Sequence, residues 1–210
     1  TEILAPVADY TGNHDIGFMM YCSYGNARRI LKTDKYDSLL LRAAESLSKR
    51  YNQKLGIIRS WGNISDNKDF LVIPDNMMNL ELLLWAWQET GDSKYLDVAQ
   101  SHARTTAKNH FREDYSSFHV VNYDPETGDV LFQGTHQGLA DDSSWSRGQG
   151  GGLYGYTVMY RFTQDVFYLD QAQNIARYIM SYQPAPEDKV FLWDYKAEAD
   201  APRDASAAAL

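Results

Sequence analysis

Two sequence clusters place carboxylates where chemistry is possible. Asn13-His14-Asp15-Ile16-Gly17-Phe18 carries an acid beside a histidine. Ile73-Pro74-Asp75-Asn76-Met77-Met78 carries an acid among apolar neighbours. Both Asp15 and Asp75 precede apolar helical patterns, so each has a plain reading as a helix N-cap. Each also has a catalytic reading. Met77, Met78 and Trp61 can desolvate Asp75, and desolvation raises a carboxyl pKa towards the range of a general acid at neutral pH. Two neighbouring carboxylates split their pKa values, leaving one protonated and one charged.

Two further clusters supply other functional groups. His119 falls on an expected β-hairpin. Gly134-Thr135-His136-Gln137-Gly138 precedes Ser143-Ser144-Trp145-Ser146-Arg147-Gly148-Gln149. Arg147 reads as a surface ion-pair partner or as a planar fork for a carboxylate. Trp145 offers a flat face of the kind that stacks on sugars. His14, His119 and His136 lack H-x-x-x-H spacing, so no zinc site is expected. No nucleophile elbow or phosphate loop occurs, because the run Gly148–Gly152 lacks the Lys-Ser/Thr ending that a phosphate loop needs.

The elements that must position these groups are mostly helical. Apolar periodicity predicts helices over about 16–32, 34–51, 76–90, 93–110, 149–163 and 165–182. Met77, Leu80, Leu83, Leu84 and Trp87 share one face of the third. Asp92 and Asp165 are expected N-caps, and Thr33 or Asp34 is expected to cap the second helix. Segments starting at Asp34, Asp92 and Asp165 each run through an aromatic and a Leu to an Ala-rich face, which reads as one helical hairpin used three times. Ser117–Tyr123 and Val130–Phe132 flank the turn sequence Asp124-Pro125-Glu126-Thr127-Gly128, predicting a β-hairpin. Leu55–Trp61 and Phe70–Ile73 are expected short extended pieces. Gly134–Gly138 and Gly148–Gly152 are expected loops at helix entrances. Residues 202–210 read as the start of another helix.

The 210 residues, 44% of them hydrophobic, suffice for one domain with a sizeable core. A net charge of −8 with no Lys/Arg run argues against nucleic acid as a partner. No stretch approaches the roughly 20 apolar residues of a membrane span, so no membrane partner is expected. Cys22 is the sole cysteine, which excludes an intrachain disulfide; its helical setting predicts a buried small residue. No leader peptide is visible. The compartment stays open, with bacterial cytoplasm or periplasm expected, and the oligomeric state is unknown.

Taken in order, N-H-D-I-G-F, S-W-G, I-P-D-N-M-M-N-L-x-L-L-L-W-A, S-S-F-H, D-P-E-T-G, G-T-H-Q-G, S-S-W-S-R-G-Q, L-W-D-Y and P-R-D-A-S-A resemble the unsaturated glucuronyl hydrolases, glycoside hydrolase family 88. The resemblance runs from about residue 10 to the end. It implies an all-α (α/α)6 toroid of six helical hairpins with a small β-hairpin insertion. It also implies hydrolysis of a 4,5-unsaturated uronic acid from the non-reducing end of an acidic oligosaccharide, with no cofactor. By the same resemblance Asp75 is the general acid/base and Asp15 a second essential acid. His119, Gln137, Trp145 and Arg147 line the sugar site, and His14, Trp61 and Trp193 adjoin it.

Two features depart from the family pattern. The family reads R-G-Q-A-W-G where this chain has Arg147-Gly148-Gln149-Gly150-Gly151-Gly152, so Gly151 stands in place of a pocket tryptophan. Six helices are counted where the toroid needs twelve. The expectation is a single domain over 1–210 that forms the central portion of the toroid, truncated at both ends and opening as a half-ring. A non-catalytic, carbohydrate-binding toroid fragment is the alternative reading.

Overall fold

The computed structural model describes residues 2–66, 68–182 and 187–210. After a 3-10 helix, Glu2–Asp9, the chain forms α1 (Ile16–Met20), a π-helical turn (Tyr21–Gly25) and α2 (Asn26–Leu31). It continues through α3 (Asp37–Ser48), β1 (Tyr51–Asn52), β2 (Ile57–Ile58) and β3 (Phe70–Val72). A 3-10 helix, Pro74–Asn79, leads into α4 (Leu80–Thr90) and α5 (Ser93–His110). Strands β4 (Val120–Tyr123) and β5 (Val130–Gly134) precede α6 (Ser146–Thr163), α7 (Val166–Ser181) and α8 (Ala205–Ala209).

Three helical hairpins organise the chain. The α1–π–α2 rod packs on α3, α4 packs on α5, and α6 packs on α7. Their breaks are local backbone events. Lys32 at φ 49°, Gly91 at φ 70° and Gln164 at φ 57° adopt the left-handed conformation that ends a helix. Asp92 accepts from the Lys94 amide and Asp165 from the Phe167 amide, each at 3.0 Å, as N-caps do. The cap expected at Thr33 or Asp34 does not form on α3, which starts at Asp37 behind Tyr36. There Thr33 Oγ1 accepts the Lys35 amide in a local turn instead.

The first rod is not a continuous α-helix. Its π turn shifts the hydrogen-bond register by one residue at Tyr21–Gly25. Cys22, expected in the core, is exposed there, lining a recess that Glu81 of α4 and Tyr154, Arg161 and Phe162 of α6 wall on the other side. Around α4, Leu80, Leu82, Leu83, Leu84, Trp85 and Ala86 are all buried, so apolar contacts surround that helix. Leu40, Ala43, Ala44 and Leu47 of α3, Ala99 and Ala103 of α5, and Met159 and Ile175 of α6 and α7 complete the main core. No described helix is long and apolar enough to cross a membrane.

The expected hairpin forms as β4–β5, and β3 joins it to give an antiparallel sheet ordered β3-β4-β5. Phe70, Val72, Val121 and Tyr123 supply that sheet's own small core. β1 and β2 pair separately.

Gly148–Gly152, expected as a helix-entrance loop with the helix itself starting at 149, lies wholly within α6, which starts at Ser146, and is buried. The reason is close approach. A Cβ on Gly155 would lie 2.4 Å from Met77 Cβ and 2.7 Å from the Met77 carbonyl oxygen. One on Gly148 would lie 3.0 Å from Pro74. α6 therefore lies directly on the 3-10 helix that carries Asp75. That packing offsets the low helix propensity of glycine.

Candidate active site

Asp75 is the second residue of the Pro74–Asn79 3-10 helix, behind Ile73 in extended conformation. It is not the N-cap expected of it. Its Oδ1 is buried and accepts no hydrogen bond among the described residues. Burial pushes its carboxyl up to about 6 from an ordinary value of 3.8, against the pull of the Arg147 cation. The charges of Asp15 and Asp204 add to the rise. A carboxyl so placed holds its proton near neutral pH and can donate it.

Asp15 also differs from the cap expectation. It stands before α1 in helical conformation and makes no capping bond. Its Oδ1 lies 3.1 Å from His14 Nε2 instead. The His14 tautomer follows from its other nitrogen. Asn79 donates its Nδ2 to His14 Nδ1 at 3.1 Å, so Nε2 carries the hydrogen that meets Asp15. Burial holds the His14 imidazole down to about 4, outweighing the opposing charge of Asp15. A neutral, oriented histidine beside a half-exposed carboxylate is the result.

The second wall comes from the sheet and the loop before α6. His119 Nδ1 accepts the backbone amides of His136 and Gln137, both at 2.9 Å. Its Nε2 then bears the hydrogen and is buried without an acceptor. Burial, with smaller contributions from His136 and Arg147, lowers His119 to about 4. Trp145 lies edge-on to His119 with 4.7 Å between ring centroids. Trp61 is 5.8 Å from His119 and 5.3 Å from His136. The Arg147 guanidinium sits over the Trp145 ring at 4.4 Å. Its Nε forms a long ion pair with Asp204 at 4.0 Å and no hydrogen bond among the described residues. The main chain of Trp193 receives both the amide and the hydroxyl of Ser146, which ties that segment to the start of α6.

The expected residues thus gather at the entrances of α1, α4 and α6. His14 and Asp15 form one group. His119, Gln137, Trp145, Arg147 and Trp61 form another. Asp75 senses both through Asp15 and Arg147. A recess of about 500 Å3 beside Arg104, Phe111 and Gln171 contains none of them. Among the described residues no three His, Cys, Asp or Glu side chains converge on a metal-sized point.

Several contributors were not singled out from sequence. Asn76 and Asn79, three apart in the 3-10 helix, are wholly buried. Asn79 Nδ2 also donates to Asn76 Oδ1 at 3.1 Å, and Asn76 Nδ2 donates to the Ile58 carbonyl at 2.7 Å. They connect His14 to the strand that leads to Trp61. Two asparagines in a run of apolar residues were the available signal, since buried amides must find partners. Asp204, which acts on Asp75 by charge alone, left no such signal.

No family model matches the chain. It is 46% identical over 203 residues to the unsaturated glucuronyl hydrolase of Formosa agariphila, covering 94% of this chain and 50% of that relative. It is 38% identical over 200 residues to the unsaturated chondroitin disaccharide hydrolase of Streptococcus pneumoniae, again covering 94% of this chain and 50% of the relative. The crystal structure of an unsaturated glucuronyl hydrolase specific for heparin superposes with a TM-score of 0.91 at 47% identity, over 97% of this chain and 55% of that one. The chain spans about half the length of the curated relatives it matches. Sequence and helical fold agree over nearly all of its residues, and the chain is a homologue of the unsaturated glucuronyl hydrolases over about half of their length.

Proposed function

We propose that the protein carrying this chain removes a 4,5-unsaturated uronic acid from the non-reducing end of acidic oligosaccharides, with Asp75 as its general acid/base. The single observation that supports this most is Asp75 itself, a buried carboxyl with an unpartnered oxygen and a pKa raised to about 6. The relatives are named for unsaturated chondroitin disaccharide and for heparin, so the substrate class is a glycosaminoglycan fragment.

The substrate ring contains a vinyl ether. Asp75 gives its proton to C4, and the C4=C5 electron pair forms the new C–H bond. Positive charge then develops at C5 and the ring oxygen. Water adds at C5 and returns a proton to the Asp75 carboxylate. The C5 hemiketal opens, C1 becomes a hemiacetal, and its collapse expels the remaining saccharide as an alcohol. Asp15, charged beside His14, stabilises the developing cation electrostatically. Arg147 meets the substrate carboxylate, Trp145 and Trp61 flank the ring, and the Nε2–H of His119 donates to a sugar oxygen. Gln137 and His14 complete the site. One carboxyl serves as acid and then as base, so the separation of two carboxyls does not set the outcome as it does in ordinary glycosidases.

On this reading residues 1–210 contribute three of the six hairpins of one toroid domain, in keeping with a chain half as long as its relatives. The test is the loss of ultraviolet absorbance of the conjugated double bond in a panel of unsaturated disaccharides. Turnover by the full-length protein and none by its Asp75→Asn variant is expected. Full activity in that variant removes Asp75 from the role, and no turnover of any panel member by the wild type refutes the reaction.

A further inference from the structure

Arg50 lies between α3 and β1, outside every motif discussed so far. It is among the largest fully buried side chains, at 2% exposure, yet among the described residues no carboxylate lies within ion-pair distance of it. A buried cation without an anion is costly unless its donors are all satisfied. Arg50 places four of its five N–H donors on backbone carbonyls. Nε donates to the Arg59 carbonyl at 2.9 Å, Nη2 to those of Ser60 and Gly62 at 3.1 Å each, and Nη1 to that of Thr11.

The sources of those carbonyls are informative. Ser60 and Gly62 flank Trp61. Thr11 opens the segment that delivers His14 and Asp15, and the His14 amide itself bonds the Ser60 carbonyl at 3.2 Å. Arg50 is fixed in turn, its amide bonded to Leu47 and its carbonyl accepting from Arg59. Arg59 holds the outer part of the same loop through the Asn63 and Asp66 carbonyls. The guanidinium charge also disfavours protonation of His14, and the Asp15 charge in turn supports that guanidinium.

We infer that Arg50 is a positioning residue, a guanidinium strap that joins the Trp61 loop to the His14–Asp15 segment and sets one wall of the sugar site through backbone carbonyls alone. The inference rests on the proposed function for its kinetic consequence but not for its geometry. Lysine retains the charge but cannot spread planar, forked donors over four carbonyls.

The experiment uses the full-length protein labelled with 5-fluorotryptophan, with the Trp61 resonance assigned by Trp61→Phe. In Arg50→Lys, kept below its melting midpoint, the Trp61 resonance is expected to shift or broaden while those of Trp85 and Trp87 stay. In the same variant kcat/KM for an unsaturated disaccharide is expected to fall about tenfold or more, as loss of oriented contacts does. An unmoved Trp61 resonance, or a folded variant with kcat/KM within about twofold of wild type, overturns the inference. If the wild type turns over nothing, the proposed reaction fails and the fluorine resonance alone decides the strap. If Arg50→Lys does not fold, the wild type decides. The Arg50 Nε–H is expected to exchange with solvent deuterium as slowly as core amides, and rapid exchange overturns the strap.

Discussion

Replacing Asp75 with asparagine should stabilise the protein at neutral pH while abolishing its turnover. The native state raises this carboxyl from 3.8 to about 6. That difference makes the charged form about 3 kcal/mol less favourable in the fold than in the unfolded chain. For an acid whose native value is raised, the native state binds more protons between the two values. Its stability is greatest below 3.8, declines as pH rises towards 6, and stays reduced above that. The substituted asparagine carries no charge and escapes the loss. Urea unfolding of wild type and Asp75→Asn, followed by tryptophan fluorescence, should show the variant more stable by about 3 kcal/mol near pH 8 and by almost nothing near pH 4. Buried His14 and His119, held near 4, give an opposite slope that costs stability as pH falls from 6.5 towards 4. That slope is common to both proteins and cancels in the difference. A stability difference that does not change with pH, or a wild type more stable than the variant near pH 8, would refute the account of Asp75 as a desolvated acid. Loss of the proton donor should lower kcat by about 10²- to 10⁴-fold.

Other outcomes follow from the geometry. The pH profile of kcat/KM should fall above about pH 6, where free Asp75 loses its proton. Arg147→Met removes the cation that holds that value down, so the limb should move to higher pH as KM rises. Gly155→Ala should lower the melting temperature through overpacking of about 1–3 kcal/mol or more, because its Cβ meets the backbone of Met77. Gly151→Ala meets nothing closer than 3.4 Å and should instead gain up to about 1 kcal/mol of helix propensity, read by the same thermal melt. Asp92→Ala, by deleting the cap on α5, should cost about 1 kcal/mol.

The amino-acid sequence determined the hairpins and their punctuation by itself. Apolar periodicity and an Asp at a helix start act within a few residues, so the caps at Asp92 and Asp165 and the turn at 124–128 were legible without any fold. The ordered motifs likewise named Trp61, His119, Trp145 and Arg147, whose side chains lie against one another in the fold. What only tertiary structure decided were properties conferred by distant neighbours. Gly148–Gly152 read both as a loop at a helix entrance and, from 149, as the start of a helix, and close contacts with Pro74 and Phe111 settle it inside α6. Asp75 carried two readings, a local cap and a desolvated acid, and burial beneath α6 with an unpartnered Oδ1 favours the second. Cys22 read as a core residue, and a recess left open between the first rod and residues of α4 and α6 exposes it. Arg50 gave no signal at all, since backbone carbonyls, its only partners, are the same whatever the side chains around them.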